Sequence, residues 1–97
     1  MMNREEVLRA LEEHNSELKN FDVRSLAIFG SVARGTDRKT SDVDILVEFT
    51  RPIGLFEFAR LKLYLEKLLQ RKVDLVTPDA LRKEMRETIL REAIRAA

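Results

Sequence analysis

Residues 30–47 read Gly-Ser-Val-Ala-Arg-Gly-Thr-Asp-Arg-Lys-Thr-Ser-Asp-Val-Asp-Ile-Leu-Val, and the fold turns on how that stretch divides. From Asp42 to Phe49 the pattern has period two: Val43, Ile45, Val47 and Phe49 lie on one face, Asp42, Asp44, Leu46 and Glu48 on the other. This is a strand with one apolar face. Upstream, Phe21 to Phe29 is rich in Val, Leu, Ile and Phe and stops abruptly at Gly30-Ser31, which reads as a buried strand entering a tight turn. Val32-Ala33-Arg34 leaves room for one or two helical turns before Gly35 ends them, and Thr36 to Ser41 is a polar connection.

Outward from this centre the remaining elements follow. Asn3 with Glu6 three residues later is a capping box, and Val7, Leu8, Leu11 and Leu18 share a helical face, predicting a helix from about residue 4 to about residue 18. Leu55 to Gln70 carries Leu55, Phe58, Ala59, Leu61, Leu65, Leu68 and Leu69 at helical spacing, a second long helix holding most of the core volume. Lys72 to Val76 reads as a short third strand. Thr77 as N-cap and Pro78 at the first helical position open a last helix, on which Leu81, Met85, Ile89 and Ala93 fall four apart and pack on the sheet. The final Ile94, Ala96 and Ala97 are left to face a partner. His14 reads as a solvated residue near a helix end, and Tyr64 as a packing residue rather than a modification acceptor.

The chain has 97 residues, the length of one domain spanning residues 1–97, in which folding buries about 60–65% of the unfolded chain's surface. Without cysteine there is no disulfide, thiolate zinc site or cysteine nucleophile, and the single His14 builds no imidazole cluster. Any metal is therefore held by oxygen. The longest stretch without a charged residue, Ser25 to Ala33, is nine residues, short of the ~20 apolar residues a membrane span needs. A soluble, cytoplasmic protein is expected. The net charge of +1 gives no reason to expect direct nucleic-acid binding. Its distribution is uneven, with seven Lys/Arg against ten Asp/Glu in residues 1–50 and eleven against seven in residues 51–97. The basic second half suits a polyanionic ligand or an acidic partner, or is simply the wet face of amphipathic helices.

Three features carry chemistry. Gly30-Ser31 after a strand lets backbone N–H groups approach an anion closely, and the short helix that follows aims its start at the same spot. Asp42 and Asp44, two apart on a strand, place their Cα atoms about 6.6 Å apart on one face, within reach of a shared divalent ion. Asp74, between Val73 and Leu75, is a third acid inside an apolar strand and joins the pair if the strands are neighbours.

Gly-Ser, ten intervening residues, Asp-x-Asp and a later strand Asp together resemble the signature of the DNA polymerase beta-like nucleotidyltransferase superfamily. The strings Gly30 to Gly35, Ser41 to Val47 and Lys72 to Pro78 look like its smallest branch, the minimal nucleotidyltransferase (MNT) proteins. The resemblance covers nearly the whole chain. It implies the nucleotidyltransferase fold, an α/β (α+β) domain with a small mixed β-sheet flanked by helices. It further implies a site where two Mg²⁺ ions receive a nucleoside triphosphate: Asp42 and Asp44 as ligands of both ions, Asp74 completing one site and helping to deprotonate the acceptor hydroxyl, and Gly30 and Ser31 holding the terminal phosphates. Arg34 is placed to touch phosphate or to stand as a surface charge. Three carboxylates suit such chemistry, because two Mg²⁺ about 3.5–4 Å apart stabilise both the attacking and the leaving oxygen of an in-line displacement. MNT proteins resemble, as a group, antitoxins paired with a HEPN-domain ribonuclease toxin. The implied reaction transfers AMP from ATP to a tyrosine of that toxin, with which the chain forms a hetero-oligomer. Neutralisation by binding alone and transfer to a small molecule are the alternatives.

Overall fold

The structure is a computed structural model that describes residues 2–97. The elements are α1 (Arg4–Glu13), α2 (Asn15–Lys19), β1 (Val23–Phe29), α3 (Gly30–Arg34), β2 (Val43–Phe49), α4 (Leu55–Leu69), β3 (Val73–Val76), α5 (Lys83–Glu92) and β4 (Ile94–Arg95). The strands form one mixed sheet in the order β3-β2-β1-β4; β2 is antiparallel to β1 and parallel to β3, and β4 is antiparallel to β1.

The period-two pattern of β2 sorts the two faces. Val43, Ile45 and Val47 are fully buried in the main core with Val7 and Leu11 of α1 and Leu61, Leu65 and Leu69 of α4. On the opposite face Phe29 and Leu46 form a smaller core with Ile89 of α5, edged by Val76, Leu81 and Ala93. On that second face a groove stays open between α5 and the strand ends at Phe29 and Asp44. Among the described residues no helix is long and apolar enough to cross a membrane.

Five local expectations are corrected. The first helix is two: α1 has its capping box, Asn3 Oδ1 accepting from Glu6 N–H at 2.9 Å, but it ends at His14, whose ring Nδ1 lies 2.8 Å from the Ala10 carbonyl. The His14 backbone N–H also donates to the Ala10 carbonyl, at 3.2 Å, so ring and main chain share one acceptor where α1 stops. His14 is thus half-buried and bonded rather than simply solvated. Leu55 is 80% exposed and Ala59 is exposed as well, so the apolar face at the start of α4 is not all core, whereas Phe58 packs against Phe49. The segment after Thr77 is a single 3-10 turn, Pro78–Ala80, before Leu81 and Arg82 adopt extended backbone and α5 begins; Thr77 makes no side-chain cap bond, and Met85 is half exposed. Finally, Ile94 and Ala96 do not wait for a partner. Ile94–Arg95 is a strand; Ala96 is buried in the main core, with its N–H donating to the Leu26 carbonyl at 2.8 Å, and Ile94 and Ala97 pack against that core. Tyr64 packs as expected, its ring centroid 5.1 Å from that of Phe21.

Candidate active site

The site lies where β1 ends and β2 and β3 begin. Antiparallel pairing sets Phe29 opposite Asp44, so Gly30 follows directly beside that carboxylate, and parallel pairing sets Asp44 opposite Asp74 in exact register partners. Side chains opposite each other on neighbouring strands share a face. Asp42 immediately precedes β2 and is exposed, as is Asp74, while Asp44 between them is half-buried.

Gly30 has φ +71°, a left-handed conformation that an L side chain adopts only with strain. Space is equally decisive. A Cβ on Gly30 would overlap Asp44 Oδ2 and stand 3.0 Å from Asp44 Cγ, so the carboxylate occupies the volume a side chain would need. The helix that Gly30 opens has no side-chain cap at Phe29, which leaves the first-turn N–H groups without a side-chain acceptor. Gly35, at φ +75°, closes it after five residues.

Burial pushes the Asp44 carboxyl up to about 6, helped by the charges of Asp74 and Asp42 and by a hydrogen bond with Asp74; nearby Arg34 opposes the rise. Arg34 is paired with Glu92 of α5 at 3.2 Å and remains half exposed. These two line a groove of about 400 Å³ with Phe29, Gly30, Asp44, Met85, Thr88 and Ile89 among others. A somewhat larger groove, about 430 Å³, lies at the far end of β2 around Phe49, Pro52 and Phe58. Its Arg51 is clasped by Asp22 and Glu57 at 2.8 Å each, and it touches none of Asp42, Asp44 and Asp74. The chemistry, not the volume, picks out the first groove.

The structure therefore gathers Gly30, Asp44 and Asp74, with Asp42 and Arg34 near enough to act on Asp44 by charge. Among the described residues no three potential ligands already converge on one metal position. Mutual repulsion keeps uncompensated acids apart, and Mg²⁺ sites are commonly completed by one or two carboxylates plus substrate phosphate and water rather than by a protein cage. The donor set is all oxygen, its middle acid is half-buried, and a Cβ-free cradle adjoins it: these residues fit a hard divalent cation. Two further groups shape the site without any sequence signal. Arg4 donates from Nη1 to the Ala33 carbonyl at 2.9 Å, tying α1 to α3, and buried Arg71 holds the loop before Asp42. Neither stands in a motif, and only the tertiary fold brings them there.

A mixed sheet with acids paired across β2 and β3 beside a glycine cradle agrees with the arrangement that the sequence resemblance implies. The chain belongs to the nucleotidyltransferase domain family, whose model matches residues 5–96. It is a nucleotidyltransferase. It is 42% identical over 95 residues, 97% of this chain and 96% of the relative, to the protein adenylyltransferase MntA of Thermococcus cleftensis. A solved structure described as a minimal nucleotidyltransferase superposes with TM-score 0.82 at 42% identity, covering 96% of this chain and 95% of the other. A chain of a solved complex described as tri-AMPylated Shewanella oneidensis HEPN toxin with MNT antitoxin shares the fold, with TM-score 0.65 at 17% identity over 93% of this chain and 71% of the other.

Proposed function

We propose that this chain is a Mg²⁺-dependent protein adenylyltransferase that acts as an antitoxin in the cytoplasm, transferring AMP from ATP to a tyrosine hydroxyl of a HEPN-type toxin. The observation that carries the reading is the setting of Asp44: half-buried, paired in register with Asp74, flanked by Asp42 and packed into the space of the absent Gly30 side chain. An enzyme that wanted only a stable fold would not cluster three acids around a left-handed glycine. The nature of the acceptor is supported by the adenylyltransferase name of the 42%-identical relative and by the AMPylated toxin bound to the fold-mate.

In this reading Asp42, Asp44 and Asp74 hold two Mg²⁺ ions, which supply charge neutralisation for the triphosphate and for the departing pyrophosphate. Gly30 keeps the cradle open, and the Gly30 and Ser31 backbone with the Ser31 hydroxyl holds the terminal phosphates. Arg34 leaves Glu92 to meet phosphate, a small cost because an exposed ion pair is worth about 0–1 kcal/mol. Asp74, on the side of β2 away from α3, orients the acceptor hydroxyl and takes its proton. The hydroxyl oxygen bonds to the α-phosphorus as the bond to pyrophosphate breaks. Met85 and Leu90 on α5 are half exposed, and Met85 lines the groove beside Asp44, so a protein acceptor docking on α5 reaches the carboxylates directly.

Intact-mass spectrometry of a HEPN partner after incubation with ATP and Mg²⁺ tests this. The expected product gains the mass of one or more AMP moieties, with the modified position a tyrosine, and Asp44→Asn yields none. A complex that neutralises the toxin with no mass change would leave binding alone as the antitoxin activity, and AMP found only on a small molecule would replace the acceptor.

A further inference from the structure

Arg71 is the one buried charged residue among the described residues, its side chain 2% exposed. Its guanidinium donates from Nη1 to the Asp37 carboxylate at 3.1 Å and the Met2 carbonyl at 3.2 Å, and from Nη2 to the Ser41 carbonyl at 2.8 Å and, more weakly, the Arg38 carbonyl at 3.4 Å. We propose that Arg71 is a positioning residue of the carboxylate site, fixing where Asp42 stands relative to Asp74.

The peptide plane makes the link. The Ser41 carbonyl and the Asp42 N–H belong to one rigid planar unit, so a bond that fixes the first fixes the orientation from which the Asp42 side chain departs. Asp42 needs such a hold because it precedes β2, and the nearest sheet bond is Val43 N–H to the Lys72 carbonyl at 2.9 Å. Arg71 itself lies two residues before β3 and three before Asp74. One side chain thus joins the entrance of the strand carrying Asp74 to the loop delivering Asp42. That loop is closed on itself, Arg38 N–H donating to Ser41 Oγ and Ser41 N–H to the Arg38 carbonyl, both at 2.9 Å, so Arg71 grips a small rigid unit.

Stability alone does not account for this arginine. Burying an ion pair costs desolvation that its attraction rarely exceeds, and an apolar side chain of similar volume usually packs as well or better. The Arg71 Nε is even left without a partner. What an apolar residue cannot supply is a fork bonded to several carbonyls at once, and a lysine cannot reproduce the planar geometry.

The inference rests on the metal-binding reading of the acids, and the test keeps the two apart. Binding of a non-hydrolysable ATP analogue is followed by calorimetry as Mg²⁺ is raised, and hydrogen exchange is measured on residues 38–43, which needs no metal. Arg71→Lys is expected to raise the half-saturating Mg²⁺ concentration about 10-fold or more, the scale on which partners of metal ligands act, and to speed exchange in 38–43. Leu18→Val, a core change near the opposite end of β1 chosen for a similar loss of thermal stability, leaves both unchanged. Asp37→Asn, which removes the loop-side partner while Arg71 stays, shifts both in the same direction and decides the matter if Arg71→Lys does not fold. Unchanged exchange and Mg²⁺ dependence in the folded variant, or equal shifts in Leu18→Val, overturn the proposal. Analogue binding by wild type that is indifferent to Mg²⁺ overturns the reading of the acids, and the exchange result still judges Arg71.

Discussion

Gly30→Ala separates the cost to the fold from the cost to the chemistry. At φ +71° an alanine carries the left-handed penalty of about 1–2 kcal/mol, part of it offset by the smaller entropy of the unfolded chain. For a domain of this size a net loss of about 1 kcal/mol lowers Tm by roughly 4–8 °C, so the variant remains folded. The Cβ also overlaps Asp44 Oδ2 and stands 3.0 Å from Cγ, tighter than ordinary van der Waals contact. The carboxylate is the movable partner, and relieving the overlap shifts it by about 1 Å, a displacement that costs on the order of 100-fold when it misplaces a reacting centre. Thermal melting followed by circular dichroism, with AMP transfer read by mass spectrometry at a temperature where both proteins are folded, distinguishes the two losses. A folded Gly30→Ala variant that transfers AMP within threefold of wild type would refute the cradle argument, and one that fails to fold would show Gly30 to be needed chiefly for structure.

Asp44→Asn in metal-free buffer is expected to stabilise the protein at pH 8 and to leave it unchanged near pH 4. The folded carboxyl, at about 6 against 3.8 unfolded, favours the protonated form, so the stability it contributes is complete below pH 3.8 and lost as pH rises through 6. The full shift corresponds to about 3 kcal/mol, and residual solvent screening brings the expected gain to ~1–2 kcal/mol. Urea unfolding at the two pH values reads it, and equal midpoints at pH 8 would contradict the burial and repulsion assigned to Asp44. Addition of Mg²⁺ with ATP is expected to raise the Tm of wild type, and EDTA to abolish the rise; a rise that survives EDTA would mean the acids do not need a cation to admit the triphosphate. Asp74→Asn should still co-purify with the toxin yet transfer no AMP, whereas charge reversal at exposed Arg91 should weaken the complex and leave Mg²⁺-dependent nucleotide binding intact. The opposite pattern would exchange the roles of sheet and helix. Ala96→Glu places a charge in the main core and should destabilise by about 3 kcal/mol or more in denaturant titration; an unchanged midpoint would contradict the burial of Ala96 there.

The features legible along the chain are local and periodic: the capping box at Asn3, the alternating faces of β2, the glycine stop after Phe29 and the acids at Asp42, Asp44 and Asp74 all depend on near neighbours. Those features carry the nucleotidyltransferase resemblance, because turn geometry and strand alternation need few residues to express themselves. The remaining features arise only from packing in space. The helix break at His14, where ring and backbone N–H meet the same Ala10 carbonyl, has no local signal, and β4 is only two residues long, too short for a pattern; its burial of Ala96 comes from pairing with β1, not from its own composition. Register likewise lies outside any local signal: that Asp44 stands opposite Asp74, and that Gly30 yields its space to Asp44 across the β1–β2 pair, are consequences of how strands align. Arg71 is the clearest case. In the sequence it is one of 18 basic residues, and only burial beside the carbonyls of Met2 and Ser41, 69 and 30 positions away, gives its charge somewhere to act, because hydrogen bonds are selected by distance in space and by the exclusion of water.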